Sequence, residues 1–166
     1  MRFAYADPPY IGQAKRHYGA DAREVNIRVL VGYLMEAFPD GWALSSSSTG
    51  LASVIRDCPA EARIGAWVKP FASFKPGVNP AYAWEPVIFA GGRKRPRNAP
   101  TVRDWVSANI TLKRGISGAK PDGFCCWLFD LLGMEPSDEF VDLFPGSGAV
   151  GRAWKQYCAQ TRLEYK

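Results

Sequence analysis

Apolar and polar positions alternate along this chain in short blocks, some with the two-residue repeat of a strand and others with the wider spacing of a helix. Phe3 to Ala6 reads as a short strand that runs straight into Asp7-Pro8-Pro9-Tyr10, and residues 11–20, with Gly12 and Gly19, suit a loop. A helix is predicted from Asp21 to Phe38. Asp21 is its expected N-cap with Glu24 three residues on, and Ile27, Leu30, Leu34 and Phe38 share a face. Pro39-Asp40-Gly41 closes it. Trp42 to Ser46 reads as a strand ending in a Ser/Thr cluster that can cap a helix from Gly50 to Asp57, stopped before Pro59. Arg63 to Val68 and Glu85 to Ala90 suit two more strands around a Pro/Gly-rich link. A helix fits 122–132, with Phe124, Leu128 and Leu131 on one face and Gly133 as its stop. Phe140 to Phe144 reads as a strand, Ala149 to Ala159 as a helix, and Arg162 to Tyr165 as a last strand. Alternating strands and helices predict an α/β sheet covered on both faces.

Length and composition narrow the classes. At 166 residues there is room for one compact domain, and 47% hydrophobic with 22% charged residues is a globular composition, which excludes wholesale disorder. No run approaches the eighteen apolar residues of a membrane span. The start of the chain has no apolar signal core, so an intracellular, cytoplasmic protein is expected. Cys58, Cys125, Cys126 and Cys158 form no CxxC and, with His17 the single histidine, make no zinc set. Cys125 and Cys126, in an apolar helical stretch, read as small buried hydrophobes, and His17 as a loop surface residue.

Charge is uneven. The chain carries +5, from 21 Lys and Arg against 16 Asp and Glu. Between Arg93 and Arg114 stand seven bases (Arg93, Lys94, Arg95, Arg97, Arg103, Lys113, Arg114) and one acid, Asp104, a net +6. Concentrated positive charge of this kind suits phosphate neutralisation, and Pro96 and Pro100 favour an irregular segment over a long helix.

Two constellations carry candidate chemistry. Asp142 to Gly148 is a strand end, a glycine-rich turn and a helix start, an arrangement that lets backbone approach a ligand and offers unpaired N–H groups. Glu164, sixteen residues beyond Gly148 at the end of the next predicted strand, is placed to grip a ribose diol. Gly146-Ser147-Gly148-Ala149-Val150-Gly151 also satisfies GxGxxG, so a dinucleotide is an alternative ligand, although nothing in the chain handles a hydride acceptor. Asp7-Pro8-Pro9-Tyr10 is more specific. Two prolines after a strand stiffen the backbone and present the Asp7 carboxylate and Pro8 carbonyl as convergent acceptors, with Tyr10 as an aromatic plate. Such a trio suits a planar substrate bearing an exocyclic amine.

Together, DPPY and Phe144-Pro145-Gly146-Ser147-Gly148 resemble the amino-methyltransferases that transfer a methyl group from S-adenosylmethionine to the N6 of adenine or N4 of cytosine in DNA. With DPPY first and the glycine motif last, the order resembles the beta-type, circularly permuted members of that family. Lys120-Pro121 before an apolar helix, and Tyr82 to Phe89, are similar to segments of the same enzymes. The resemblance implies a single Rossmann-like S-adenosylmethionine-dependent methyltransferase domain over 1–166, with a mostly parallel sheet and helices on both faces. It implies that Phe144, Gly146, Ser147 and Gly148 line the methionine end of the cofactor, with Asp142 supporting the turn. Glu164 would take the ribose hydroxyls and Lys120 would lie near the cofactor carboxylate. Asp7 and Pro8 would polarise the target amine, beside Pro9, and Tyr10 would stack on a flipped base.

The chain departs from the family pattern in two places. It stops after the Glu164 segment, so one edge strand of the usual sheet is expected to be missing, and two alternatives follow: a low cofactor affinity, or a pocket completed by a second subunit, a homodimer mate or another partner. Residues 91–119 read as a basic insertion, a reduced target-recognition loop contacting DNA through phosphates, with low or short sequence specificity. Lys15 and Arg16 are further candidate DNA contacts. The expected reaction is N6-adenine methylation of duplex DNA. The alternatives are N4-cytosine, RNA adenine or a glutamine side-chain amide as acceptor, and a non-catalytic nucleic-acid-binding remnant.

Overall fold

The computed structural model describes residues 1–10, 12, 23–71, 76–110 and 119–164, the last four as backbone. Six strands form one sheet: β1 (Arg2–Ala6), β2 (Gly41–Ser45), β3 (Arg63–Val68), β4 (Trp84–Gly91), β5 (Trp105–Ser107) and β6 (Glu139–Asp142), in the order β5-β3-β4-β2-β1-β6. β1 runs parallel to both β2 and β6, and β3 parallel to β5, while β4 is antiparallel to its neighbours β2 and β3. Five strands therefore point one way and their C-terminal ends share one edge. Four helices complete the described fold: α1 (Ile27–Ala37), α2 (Leu51–Ile55), α3 (Asp122–Leu132) and α4 (Ala149–Glu164).

The strand period of two sorts the core into two layers. Phe3 and Tyr5 of β1 pack with Trp67, Val87, Phe89 and the α3 residues Phe124, Leu128 and Leu132. Ala4 and Ala6, pointing the other way, pack with Leu44, Ile88 and the α1 residues Leu30, Val31 and Leu34. β1 is buried on both faces from Phe3 to Ala6, as a central parallel strand must be. The chain leaving it thus emerges on the C-terminal edge one strand in from β6.

Several elements differ from the pattern-based expectation. α1 begins at Ile27, where the Asn26 side chain accepts from the Val29 amide, while Asp21 lies outside the described residues. α2 is shorter than expected, and β6 occupies 139–142. β5 falls inside the basic segment, so 91–119 is not wholly an insertion: Trp105, Val106 and Ser107 pair with Ala66, Trp67 and Val68. The expected strand from Arg162 does not form. Residues 162–164 belong to the last turn of α4, because no glycine or proline follows Gly151 to stop the helix. Glu164 consequently does not stand at a strand end, and β6 is the outermost described strand.

Candidate active site

Residues that are 130 or more positions apart meet at the C-terminal edge of β1 and β6. Tyr5 pairs with Asp142 in register, and the Leu143 amide donates to the Tyr5 carbonyl at 2.9 Å. Asp7-Pro8-Pro9-Tyr10 leaves β1 immediately beside the point where Phe144-Pro145-Gly146-Ser147-Gly148 leaves β6. The two motifs singled out in the sequence are neighbours.

The glycine turn leads into α4. Gly148 has φ +72° and its amide donates to the Pro145 carbonyl, so a side-chain-bearing residue there would strain the turn. The Asp142 carboxylate sits behind it: Oδ1 accepts from the Phe144 amide at 3.3 Å, while Oδ2 is buried and has no hydrogen-bond partner. Burial pushes this carboxyl up to about 6. A buried acceptor without a donor costs free energy, and at the mouth of a turn that presents backbone N–H groups it fits a polar ligand bearing its own donor. S-adenosylmethionine, with its ammonium group, fits that donor requirement.

The other half of the site is a cluster of charges. Lys120, 7% exposed, lies just before α3, and its Nζ is 3.1 Å from Asp7 Oδ2 and 3.2 Å from Glu85 Oε2. Glu85, on β4, also pairs through Oε1 with Lys69, which follows β3. The Tyr10 hydroxyl donates to Glu85 Oε2 at 2.8 Å. Trp67 floors the cluster, with the Lys69 and Lys120 ammonium groups 4.6 and 5.2 Å from its ring centroid. At the neighbouring strand ends the Tyr5 and Ser45 hydroxyls share a 2.7 Å hydrogen bond.

Electrostatics follow from this packing. Burial raises Asp7 and outweighs the lowering by Lys120. Burial alone would also raise Glu85, but Lys120 and Lys69 together hold it below the usual range. Burial would lower Lys120, yet Asp7, Tyr5, Tyr10 and Glu85 keep its ammonium well above the usual lysine value. The cluster therefore sets a firmly protonated Lys120 against Asp7, whose carboxyl burial pushes up and Lys120 draws back down.

Of the residues singled out in the sequence, Asp7, Pro8, Pro9, Tyr10, Asp142, Phe144, Gly146, Ser147, Gly148 and Lys120 all lie at this one edge of the sheet. The structure places Lys120 against Asp7 and Glu85, where the family resemblance implied a place near the cofactor carboxylate. The sequence did not single out Glu85 and Lys69, which the structure adds to the cluster. The available signal was a carboxylate in an otherwise apolar strand, Trp84-Glu85-Pro86-Val87-Ile88.

The basic segment divides differently. Arg93 grips the buried Asp138 through both carboxylate oxygens, at 2.7 and 2.8 Å, and Asp138 also holds the Met1 amine at 2.9 Å. These contacts lie at the N-terminal ends of β1 and β6, the opposite edge from Asp7, about 16 Å away along β1. Lys94 and Arg95 line a cavity of about 740 Å³ there with Arg93, Asp130, Glu135 and Tyr157. Arg97 is exposed, and the Arg103 guanidinium sits 5.4 Å from the Trp105 ring centroid. Lys15, Arg16, His17, Lys113 and Arg114 lie outside the described residues.

No protein-family model matches the chain, and no curated protein sequence matches it. Solved structures do. The M1.HpyAVI–SAM complex superposes with a TM-score of 0.61 at 15% identity, covering 93% of this chain and 77% of that one. M1.HpyAVI gives a TM-score of 0.58 at 16% identity, over 94% and 76%. The likeness shows the fold, an α/β architecture with a mostly parallel sheet shared with M1.HpyAVI. No helix among the described residues is long and apolar enough to cross a membrane.

Proposed function

We infer that this chain is a DNA methyltransferase that methylates the exocyclic N6 amine of adenine, using S-adenosylmethionine and a base flipped out of the duplex. The observation that carries the reading is the register of β1 on β6, which sets the acceptor motif at Asp7 beside the glycine turn at Phe144. A structural neighbour that is a complex with SAM supports the choice of cofactor. The order of the two motifs supports a beta-type, circularly permuted member of the amino-methyltransferases, with 1–166 as one methyltransferase domain.

Bound in the turn, S-adenosylmethionine would supply an electrophilic methyl group. Phe144, Gly146, Ser147 and Gly148 would hold it, with the free oxygen of Asp142 taking its ammonium. The chain's own residues act on the acceptor. An aromatic amine is a poor nucleophile because its lone pair is delocalised into the ring. Hydrogen bonds from that amine to the Asp7 carboxylate and the Pro8 carbonyl favour a pyramidal nitrogen and free the lone pair. Pro9 stiffens the turn and Tyr10 stacks on the base. Positioning of this kind contributes roughly 7–11 kcal/mol in well-oriented systems, and the reaction needs no histidine. Lys120 serves the acceptor carboxylate in this arrangement, and Glu164, in the last turn of α4, is not assigned the ribose. DNA phosphates would be met by basic residues on the Asp7 edge, and the Arg93 edge has a structural task first.

The test is incubation with methyl-labelled S-adenosylmethionine and unmethylated duplex DNA, followed by digestion to nucleosides. Label in N6-methyladenine supports the reading. Label in N4-methylcytosine alone changes the base, and label only with RNA changes the substrate. A folded protein that binds DNA and transfers nothing sinks it in favour of the binding remnant.

A further inference from the structure

We propose that Glu85 is the positioning residue of this site, fixing the Tyr10 ring by its hydroxyl and pinning Lys120 against Asp7 before substrate arrives. The proposal deepens the methyl-transfer reading and rests on it. Four separate stretches of chain converge on this one carboxylate: the exit of β1 through Tyr10, the exit of β3 through Lys69, β4 itself, and the approach to α3 through Lys120. Both oxygens are committed, Oε1 to Lys69 and Oε2 to Tyr10 and Lys120. A carboxylate 17% exposed loses much of its hydration, and only a full set of donors makes such a position tenable.

The consequence for the site is geometric. Lys69 and Lys120 lie over one indole ring, Trp67, and would repel each other there without an anion between them. Glu85 supplies that anion, which keeps Lys120 within 3.1 Å of Asp7 Oδ2. Asp7 then presents a carboxylate of fixed orientation to the substrate amine. Tyr10, tied at its hydroxyl, cannot swing about its side-chain torsions without breaking a charge-assisted hydrogen bond. One residue that touches no substrate thereby sets the relation between plate and acceptor.

Glutamine is the informative replacement. It keeps the size but has one acceptor oxygen, so it cannot serve Lys69 on one side and Tyr10 with Lys120 on the other. Glu85→Gln should lower kcat for DNA methylation by about tenfold to a hundredfold while KM for S-adenosylmethionine stays within about twofold. Tyr10→Phe, which deletes only the hydroxyl, should fall comparably, and the double variant should be no worse than the poorer single. A readout independent of turnover is ¹⁹F NMR of protein labelled with 3-fluorotyrosine, the Tyr10 resonance being assigned by its loss in Tyr10→Phe. That resonance should shift or broaden in Glu85→Gln without DNA or cofactor. If Glu85→Gln does not fold, Tyr10→Phe carries the kinetic test. An active wild type with an indifferent Glu85→Gln, or losses that multiply in the double variant, overturns the positioning role alone. A wild type that transfers no methyl overturns the underlying reading, and the kinetic role with it.

Discussion

Replacing Lys120 by methionine keeps the unbranched stem as far as Cε and removes the charged Nζ. In the folded protein Lys120 is the cation shared by Asp7 and Glu85, at 3.1 and 3.2 Å, and its side chain is 6% exposed. Removing one partner from a buried ion pair costs about 3–5 kcal/mol. Lys69 remains on Glu85 and Asp7 is 23% exposed, so the lower end applies, a fall in Tm of about 6–12 °C for a chain of this size. The pH dependence gives the diagnostic sign. Lys120 is raised above its unfolded value, so its stabilisation is fully present at neutral pH and lost only as pH rises through its folded pKa. Asp7 is raised as well, and without Lys120 it rises further, so its ionisation near neutrality becomes more costly to the folded state. Glu85 is lowered, and its share of stability is present above its unfolded pKa and lost as pH falls. The Lys120 contribution is the same at pH 4.5 and 7.5, both below its unfolded pKa, so the Asp7 and Glu85 directions are what make the deficit of Lys120→Met largest near pH 7.5 and smaller at pH 4.5. Melts followed by circular dichroism at the two pH values measure it. An equal deficit at both, or one that grows in acid, refutes the reasoning.

Other consequences are accessible to the same methods. Asp142 is raised to about 6, so its stability contribution is present below its unfolded pKa and lost as pH rises through about 6. Asp142→Asn should melt no lower than wild type at pH 7.5 yet bind S-adenosylmethionine more weakly by calorimetry, and a lower Tm there contradicts the account. Arg93→Met strips Asp138 of its bidentate partner and should cost about 1–3 kcal/mol in a thermal melt. Its DNA affinity and salt slope, read by anisotropy, should stay at wild-type values, whereas a slope smaller by about one with an unchanged Tm would make Arg93 a phosphate contact. Gly65→Ala would place a Cβ 2.9 Å from the Asp104 carbonyl and 3.1 Å from Trp127, so it should destabilise by about 1–3 kcal/mol; a wild-type Tm would contradict the close approach of β3 to the Asp104 segment.

Much of this architecture is readable in the sequence where a local rule and the tertiary fold agree. Arg63–Val68 reads as a strand and forms one, its burial alternating from Gly65 to Val68. The 122–132 helix stops at Gly133 because that residue reaches φ +65° at the C-cap. Failures occur where the local signal is short. Trp105–Ser107 is a three-residue strand held by pairing with β3, with no periodicity of its own to read. Arg162-Leu163-Glu164-Tyr165 alternates over four residues, too few to outweigh a helix with nothing to end it. The candidate site divides in the same way. Asp7-Pro8-Pro9-Tyr10 and the glycine turn are contiguous motifs and therefore visible. The Glu85–Lys120–Lys69 cluster draws on residues far apart in the chain, and only the antiparallel placing of β4 beside β2 and β3 brings it together.

The central claim is that Asp7 and the glycine turn form one methyl-transfer site. It is tested most directly by incubating the purified chain and its Asp7→Ala variant with methyl-labelled S-adenosylmethionine and unmethylated duplex DNA, then separating the nucleosides. The account predicts label in N6-methyladenine from the wild type and none from Asp7→Ala, with both proteins still binding S-adenosylmethionine. Equal labelling by the two, or no transfer by a wild type that binds both ligands, would contradict it.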